Sequence, residues 1–495
     1  MLDRNLDDVL KEFATLENIR QIYLEYEQAK TDTMYFPPKV KVQMGVDGVD
    51  WKSFRANLDH YCKSIADRII SGKYFFKPFR EVAIQKKGGK KGEHRLISIA
   101  SISDMLVQKL IHKCIYPMAE VKFRRLSNAS FAYREGYSAP LAVKYLYRYI
   151  KEGYNYVFDA DIEKFFDTIP HSLLKEKLAT FAGGEDTLIY RYLKRFVSVD
   201  RVLAESYVHL EGRENIFKYQ KPHRTHRKAG IPQGGVFSGL IANIYMHEFD
   251  QWVLENLGSK YDIKYIRYAD DFLILYKSEN VEERIKAEVN SKLKSMGLNI
   301  NCDKTETKID LLQEATYVEY VGFAVSKTGV RIKQENIKKF KLGVIDVLSK
   351  THINESTDSL KFLITRLTFK YLGNEAIGLQ RCSNCGMYES RRSWLSYFFI
   401  INDVQQLRAI DTWVRKSIYR WYYISTGKRL NAKTLRSLGL LRLEDIYRKI
   451  KAEEKIVKLA EKQSEQQVIR TCYCKPLDAR KSREYLLHKL LFYKY

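Results

Sequence analysis

KYIRYADDFLILY, residues 264–276, is the most informative stretch of the sequence, because two apolar runs meet there at a short acidic turn. These runs predict two largely buried strands that are joined as a tight hairpin. Asp270 and Asp271 would lie at its tip. Asp is a common turn residue, so an ordinary turn is the simpler interpretation of an isolated Asp-Asp pair. The apolar flanks favour a functional acidic turn.

A second acidic strand end lies upstream, in YNYVFDADIEKFFDTIPH, residues 154–171. An apolar strand ends there on Asp159 and Asp161. If this strand lies beside the hairpin, Asp161 converges with Asp270 and Asp271. Crowded carboxylates raise each other's pKa unless divalent cations lie among them. Mg²⁺ is the natural ion, with Mn²⁺ as the alternative, and a pair of ions would support phosphoryl transfer. The pattern predicts a polymerase or a nuclease.

The composition predicts a folded chain with a polyanionic partner. The 495 residues are 45% hydrophobic and contain no low-complexity tract, so about three packed domains are expected. The 85 Lys and Arg against 60 Asp and Glu give a formal net charge of +25, which favours nucleic acid. No apolar stretch is long enough to span a membrane, and the first residues do not resemble a signal peptide. A cytoplasmic protein without a membrane partner is expected.

The pattern of apolar residues changes along the chain. Residues 1–70 have helical periodicity, whereas REVAIQKKGGKKGEHRLISIAS, residues 80–101, predicts a hairpin with a lysine-rich tip. Residues 154–332 mix β-branched and aromatic runs with helical ones, which is typical of an α+β domain on an antiparallel sheet. From residue 334 onward the pattern is mostly helical. The expected fold class is α+β.

The seven cysteines do not form an obvious secreted framework, which agrees with a cytoplasmic protein. Three of them stand alone and are interpreted as buried or free thiols. These are Cys62, Cys114 and Cys302. Cys382 with Cys385 and Cys472 with Cys474 offer four thiolates for zinc, but the spacing between the pairs carries no signature. Zinc binding and reduced surface thiols both stay open for these four residues.

Seven blocks of the sequence follow one another in a recognisable order. They are RLISIASISDMLVQKL, SNASFAYREGYSA, DADIEKFFDTIPH, GIPQGGVFSGLIANIYMHEFD, YADD, GLNINCDKTET and YVGFAV. In this order they resemble bacterial reverse transcriptases of the group II intron type, and seven blocks together are far stronger evidence than one. The resemblance implies a right-hand polymerase. It divides the chain into an N-terminal extension with fingers (1–150), a palm with the catalytic site (151–335) and an α-helical thumb or maturase-like region (336–495).

The resemblance also assigns the catalytic residues. It implies that Asp161, Asp270 and Asp271 hold two Mg²⁺ ions, while Asp159 is a helping or solvated acid. Lys304 matches the lysine proposed to protonate the pyrophosphate leaving group. A cation that only neutralises phosphate charge is the simpler interpretation of this lysine.

Four further residues match the family's nucleotide-binding positions. Lys86 and Arg95 correspond to finger residues that hold the triphosphate. Phe166 corresponds to the aromatic residue that excludes a ribonucleotide hydroxyl, although Phe165 and Phe166 also suit the core. Gln233, in GIPQGG, corresponds to a residue near the sugar, where glycines permit close backbone approach.

Two features near GIPQGG have open interpretations. Gly239 stands where SPLLAN-like members of the family carry proline, which would relax the start of the following helix. KYQKPHRTHRK, residues 218–228, is either a solvated basic loop or a nucleic-acid contact next to the site.

The expected biology follows from what the sequence lacks. It has neither the HNH-like endonuclease module of many intron-encoded members nor the VTG signature of retron enzymes, and residues 172–230 are longer than in compact intron enzymes. We therefore expect an unknown-group reverse transcriptase that copies a dedicated noncoding RNA in antiphage defence. A group II intron maturase is the first alternative, and a catalytically dispensable RNA-binding protein is the second. An RNA polymerase is disfavoured by Phe166.

The expected partners are an RNA template, deoxynucleotides and the cDNA product. The template's identity, the primer and the choice between a monomer and a homo-oligomer stay open.

Overall fold

The computed structural model describes residues 5–31, 44–85, 94–126, 128–203, 224–352, 357–372 and 393–452. Its helices are α1 (Leu6–Phe13), α2 (Leu16–Thr31), α3 (Trp51–Ala56), α4 (Leu58–Ile70), α5 (Ile102–Arg125), α6 (Ala139–Lys151), α7 (Phe165–Thr168), α8 (His171–Ala182), α9 (Leu188–Val197), α10 (Ser238–Trp252), α11 (Gly258–Lys260), α12 (Glu282–Ser295), α13 (Gln334–Ser349), α14 (Thr357–Leu372), α15 (Trp394–Tyr397), α16 (Val404–Thr426) and α17 (Ala432–Ser437). Its strands are β1 (Phe79–Gln85), β2 (His94–Ile99), β3 (Tyr156–Asp161), β4 (Arg201–Leu203), β5 (Ile263–Tyr268), β6 (Asp271–Tyr276), β7 (Glu306–Asp310), β8 (Val318–Tyr320), β9 (Phe323–Val325) and β10 (Val330–Ile332).

The chain divides into two compact units. The first comprises Met1–Arg134 with Tyr156–Lys308, and the second comprises Glu135–Asn155 with Ile309–Tyr495. Helices and sheets occur in both, so the predicted α+β class is confirmed. The predicted boundaries of fingers, palm and thumb stay predictions.

The central sheet of the first unit has the strand order β5-β6-β3-β7. Strand β6 runs antiparallel to β5 on one side and to β3 on the other. Because β6 is a central strand, its residues from Phe272 to Tyr276 are all buried. Its continuous apolar run is the pattern expected of a strand that is covered on both faces. The predicted buried hairpin is therefore confirmed.

A smaller sheet of the same unit has the order β2-β1-β4. Strands β1 and β2 pair antiparallel from Arg80 opposite Ile99 to Gln85 opposite His94, which confirms the predicted hairpin over residues 80–101. Its tip, including Lys86, lies outside the described residues.

The N-terminal helices pack onto the first unit, and the helical periodicity predicted for residues 1–70 is confirmed where the structure describes them. The Asp7 carboxylate accepts hydrogen bonds from the backbone N–H groups of Leu188 at 2.6 Å and Ile189 at 2.9 Å. These are the first two residues of α9, so Asp7 satisfies donors that have no partner within that helix. This contact ties α1 to α9.

The second unit combines a small antiparallel sheet with helices. The sheet order is β10-β9-β8, and α13 packs against α14 and α16. Helix α16 buries Leu407, Val414 and Ile418 along one face, as its periodicity predicts. Among the described helices, none is long and apolar enough to cross a membrane.

The described cysteines are free thiols, as expected. Cys62 and Cys114 are buried and Cys302 is exposed. Burial raises the pKa of the Cys114 thiol to about 12. The other four cysteines lie outside the described residues.

Candidate active site

The acidic turn between β5 and β6 is a hairpin loop of two residues, Ala269 and Asp270. Ala269 has φ 64°, the left-handed backbone that a two-residue hairpin loop requires. The strain of a non-glycine residue in this region is a feature of functional turns. Asp271 is the first residue of β6, so the two carboxylates leave the turn from adjacent positions.

The end of β3 brings a third carboxylate to this turn. Asp161 lies directly opposite Asp271 in the antiparallel register of β3 and β6. The backbone N–H of Ile162 donates to the carbonyl oxygen of Asp270 at 3.3 Å, which extends the pairing beyond the strand. The structure therefore brings together Asp161, Asp270 and Asp271, as the sequence predicts.

The electrostatics of these acids reflect their burial and proximity. Burial raises the pKa of Asp271 well above its usual value, and the charges of Asp159, Asp161 and Asp270 raise it further. Burial and the charge of Asp161 also raise the pKa of Asp270. Clustered carboxylates of this kind are unfavourable when they are ionised, and a cation among them removes the repulsion.

The donor set fits a hard divalent cation, because it consists of carboxylate oxygens that repel one another. Within the part of the chain that the structure describes, no group of three or more His, Cys, Asp or Glu side chains has the arrangement of a formed metal site. One oxygen of Asp161 is instead bound to the Lys304 ammonium at 2.7 Å. An arriving cation would compete with this ammonium for the Asp161 carboxylate.

Lys304 reaches the site from the loop before β7. Its ammonium is largely exposed, and its pKa is raised by the hydrogen bond to Asp161 and by the charges of Asp270 and Asp271. Asn301 adds a longer contact of 3.5 Å to the same oxygen of Asp161. The backbone N–H of Asn301 donates to the carbonyl of Asp161 at 2.8 Å, which fixes the loop at the end of β3.

A buried arginine in β5 stabilises the acidic turn by hydrogen bonding. Arg267, in β5, is fully buried and donates to both oxygens of Asp250, at 2.7 and 2.5 Å. Its Nη1 also donates to the side-chain oxygen of Asn243 at 3.1 Å and to the carbonyl of Ala269 at 2.9 Å. Asp250 and Asn243 belong to α10. The turn is therefore hydrogen-bonded, through Arg267, to this helix.

The two adjacent phenylalanines of α7 separate into different environments. Phe165 is buried in the core, whereas Phe166 is only partly buried. The ring of Phe166 meets the ring of Tyr133 edge to face, with centroids 6.2 Å apart. The charges of Asp270 and Arg95 act on the pKa of Tyr133, which burial raises. Phe166 and Tyr133 are therefore neighbours of the acidic turn.

Gly239, at the start of α10, makes room for Tyr133. A Cβ at this position would lie 2.6 Å from Cδ1 of the Tyr133 ring, closer than real Cβ atoms approach. Tyr133 has φ 57°, so its backbone is also in the left-handed region. A residue with a side chain at 239 would push the ring away from its present place against Phe166. The absence of a side chain at 239 therefore has a steric reason.

The GIPQGG loop lies between α7 and the small sheet. Gln233 donates from Nε2 to the Asp167 carboxylate at 3.3 and 3.4 Å, and its carbonyl accepts from the Ser98 N–H at 2.7 Å. Gly234 has φ 100°, and a Cβ there would lie 3.1 Å from the Ser98 carbonyl oxygen. The glycine thus permits a close backbone approach between this loop and β2, while the predicted approach to a nucleotide stays a prediction.

Of the two candidate triphosphate ligands, Arg95 lies on the exposed part of β2, and its charge offsets a small part of the rise that burial and Asp161 cause in the pKa of Asp270. Lys86 lies outside the described residues. Residues 218–223 of the basic run also lie outside them. Arg227, near the end of this basic run, is buried and donates to Glu81 at 2.5 Å. It is therefore neither a solvated residue nor an exposed contact for nucleic acid.

Three neighbours of the site do not follow from sequence reasoning. Tyr133 and Asn301 are polar residues within the matched blocks, and nothing in their spacing separates them from their neighbours. Arg267 has a signal that could have been used. It is a charged residue in an otherwise apolar strand, and a buried arginine requires a partner.

Comparison with known proteins identifies the family. Residues 84–374 match the family described as reverse transcriptase (RNA-dependent DNA polymerase). The Saccharomyces cerevisiae putative COX1/OXI3 intron 1 protein is 24% identical over 382 residues, which covers 67% of this chain and 41% of that protein. Protein YkfC of Escherichia coli is 28% identical over 296 residues, covering 53% of this chain and 71% of that protein.

The group II intron-encoded protein LtrA of Lactococcus lactis is 24% identical over 357 residues, which covers 58% of this chain and 53% of that protein. The chain thus spans about half the length of LtrA and less than half the length of the yeast protein. The predicted resemblance to group II intron-type enzymes and the expected right-hand polymerase fold are confirmed. Because the family match takes in more than half of the sequence, the chain belongs to the reverse transcriptase (RNA-dependent DNA polymerase) family.

Proposed function

We propose that the chain is an RNA-directed DNA polymerase that adds deoxynucleotides to a 3′ hydroxyl and releases pyrophosphate. The observation that carries this proposal is the register of β3 and β6, which places Asp161 opposite Asp271 beside the turn of Asp270. Two carboxylates at strand ends and one in the turn between two strands provide the ligands that nucleotidyl transfer needs. The family match supports the same reaction.

Asp161, Asp270 and Asp271 would hold two Mg²⁺ ions, with Mn²⁺ as the alternative. Bound ions of this kind supply Lewis acidity that activates the attacking hydroxyl and stabilises the leaving oxygen. Lys304 would leave Asp161 for the anionic phosphates, since its ammonium is exposed and, among the described residues, its hydrogen bond goes to one oxygen of Asp161. Its positive charge would then stabilise the departing pyrophosphate.

The remaining site residues would bind and select the nucleotide. Arg95 and Lys86 would hold the triphosphate, for which a planar guanidinium and an ammonium are suited. The partly exposed ring of Phe166 would pack under the sugar and exclude a 2′ hydroxyl. Gln233 would face the sugar from the GIPQGG loop, where Asp167 orients its amide.

The biological role that we propose is the copying of a dedicated partner noncoding RNA in antiphage defence. The names of two of these relatives, the yeast protein and LtrA, refer to introns, and this keeps the maturase as the alternative candidate. Sequencing the RNA and DNA that copurify with the full chain separates them. A single structured RNA with its cDNA supports defence, whereas intron RNA that the protein helps to splice supports the maturase.

Primer extension on an RNA template with deoxynucleotides tests the proposed reaction. Asp270→Ala and Asp271→Ala should each reduce the rate by more than about 10³-fold, because each removes a ligand of the metal ions that would stabilise the reacting phosphate. Asp8→Ala, an exposed acid on α1, is the control and should leave the rate unchanged. Normal synthesis by the two site variants would refute the proposal. Wild-type protein that binds RNA without synthesising DNA would instead support the RNA-binding alternative.

A further inference from the structure

An aromatic and basic surface lies on the first unit, on residues that the proposed reaction does not use. It is formed where the turn after α4 meets one face of α9. We call it the Phe75 patch. Its members are Arg68, Lys73, Phe75, Arg191 and Arg195.

The ring of Phe75 is unusually open for a phenylalanine, with 61% of the residue exposed. The guanidinium of Arg195 lies over it, with Cζ 3.8 Å from the ring centroid. Arg195 is held in place because its Nη1 donates to the carbonyls of Gly72 at 2.8 Å and Tyr74 at 2.6 Å. One face of the ring is therefore covered by a fixed cation, while the rest stays accessible as a flat platform.

Further positive charge surrounds this platform. Arg68 lies 5.0 Å from the centroid of the Tyr74 ring. Arg191 lies against the turn, since a Cβ at Gly72 would be 2.7 Å from its Nη1. Both arginines and Lys73 are exposed. Across the described residues, none of the four cations of the patch forms an ion pair with a carboxylate. This positive field favours a polyanion.

The chemistry of the patch distinguishes between polyanions. An anionic lipid surface would satisfy the cations but has no flat ring to place on Phe75. A nucleic-acid duplex presents phosphates, but its base faces are already stacked on one another. An unpaired strand offers both phosphates and free base faces, which is the combination that single-strand binding surfaces recognise.

We propose that the Phe75 patch binds an unpaired RNA strand, with a base stacked on Phe75 and phosphates bound by Arg68, Lys73 and Arg191. The choice of RNA over DNA rests on the proposed function, in which RNA is the template. The patch would hold template outside the catalytic centre and so increase the time that the chain stays on one RNA.

Fluorescence anisotropy with a labelled single-stranded RNA of about 16 nucleotides, without nucleotides for synthesis, tests the proposal on the full chain. Phe75→Ala and Phe75→Leu should weaken RNA binding roughly tenfold. Phe75→Trp should keep the wild-type affinity, because a tryptophan ring can also stack on a base. The salt dependence is the slope of log affinity against log salt concentration. Arg191→Ala and Lys73→Ala should each make this slope shallower by about 0.7, because each removes one phosphate contact. Arg284→Ala, an exposed cation on α12, is the charge control and should change neither quantity.

The outcomes separate the patch from the catalytic proposal. Unchanged RNA affinity in Phe75→Ala and Phe75→Leu overturns the inference, as does a loss confined to a DNA strand of the same sequence. If these variants lose binding to vesicles that contain phosphatidylserine but keep their RNA affinity, the inference is overturned in favour of a lipid surface. Failure of the wild-type chain to synthesise DNA overturns the proposed function alone, because RNA binding is measured without synthesis.

Discussion

The guanidinium of Arg267 donates a hydrogen bond of 2.9 Å to the carbonyl oxygen of Ala269, so a fully buried cation holds the acidic turn. The same guanidinium forms a two-pronged ion pair with Asp250, and Tyr265 donates to Asp250 at 2.8 Å. The backbone of Arg267 also bonds to Ala129 and Phe131. The position of Asp270 therefore depends on a buried polar network as well as on the sheet.

Arg267→Lys should lower the free energy of unfolding by about 3 kcal/mol, because Lys cannot replace the planar pair and leaves buried acceptors of Asp250 and Ala269 unmet. DNA synthesis should fall as the turn loosens. Chemical denaturation and primer extension measure the two effects. Arg148→Ala removes an exposed, solvent-screened ion pair with Glu152 and should leave the free energy of unfolding close to that of the wild type. Equal effects of the two variants would show that the buried network stabilises the protein no more than an exposed ion pair does.

Gly239→Ala should destabilise the protein by about 1 to 3 kcal/mol, because the new Cβ would overlap the Tyr133 ring. Gly258→Ala is the matched control. Its nearest neighbour would be a backbone oxygen at 3.7 Å, and the helical position favours alanine, so this change should be neutral or stabilising. Thermal unfolding of the two variants decides. A stable Gly239→Ala protein would mean that Tyr133 moves without cost.

The sequence was sufficient to predict the strands that carry the acids. Apolar runs around Asp270 and Asp161 predict buried strands, and the structure pairs them in the register that brings both acids together. The reason is physical, because a strand that is covered on both faces must be apolar throughout. This pattern can be recognised in the sequence of the strand itself, without knowing which segments pack against it.

Contacts between distant segments could not be predicted in the same way. The burial of Arg227 depends on Glu81, which is 146 residues away in the chain. The clearance at Gly239 depends on Tyr133, and neither residue alone indicates the other. Local pattern predicts which residues are buried, whereas the partner of a buried charge or ring is decided by tertiary packing.

Phe166→Ala should admit ribonucleotides, because the partly exposed ring is the group expected to exclude the 2′ hydroxyl. We expect incorporation of ribonucleotides relative to deoxynucleotides to rise by about tenfold or more. The ratio of kcat/KM for the two sugars is the measurement. Phe158→Leu, in the buried core of β3, is the control, since it changes an aromatic ring without changing the nucleotide pocket. An unchanged ratio in Phe166→Ala would remove this residue from sugar selection.

Lys304→Arg and Lys304→Met separate the two roles open to this lysine. Loss of charge in Lys304→Met should slow nucleotide addition by about 10²-fold or more. If the ammonium acts by charge alone, Lys304→Arg should retain a rate within about tenfold of the wild type, since an arginine keeps the charge but is a poor proton donor. The hydrogen bond to Asp161 raises the pKa of Lys304, and we expect the charge role to dominate. Single-turnover rates distinguish them, and an inactive Lys304→Arg would point to proton transfer.

His112 should make the fold sensitive to acid. Its ring stacks on Tyr116 with centroids 5.2 Å apart, and burial, with the charge of Lys109, lowers its pKa from 6.5 to about 4. A histidine whose pKa is lower in the fold contributes its full stability above pH 6.5, and this contribution is lost as the pH falls towards about 4. By about pH 5 the loss should be on the order of 2 kcal/mol.

Asp104 acts in the opposite direction, because burial raises its pKa to about 6 and its protonation on acidification favours the fold. The wild-type profile therefore contains both effects, and a comparison of variants is needed to isolate His112. His112→Phe keeps the stack on Tyr116 but cannot take up a proton. Urea denaturation at about pH 7.5 and about pH 5 should show a smaller loss of stability in His112→Phe than in the wild type. His60→Gln, at an exposed histidine, should behave as the wild type. Equal losses in His112→Phe and the wild type would place the acid sensitivity elsewhere.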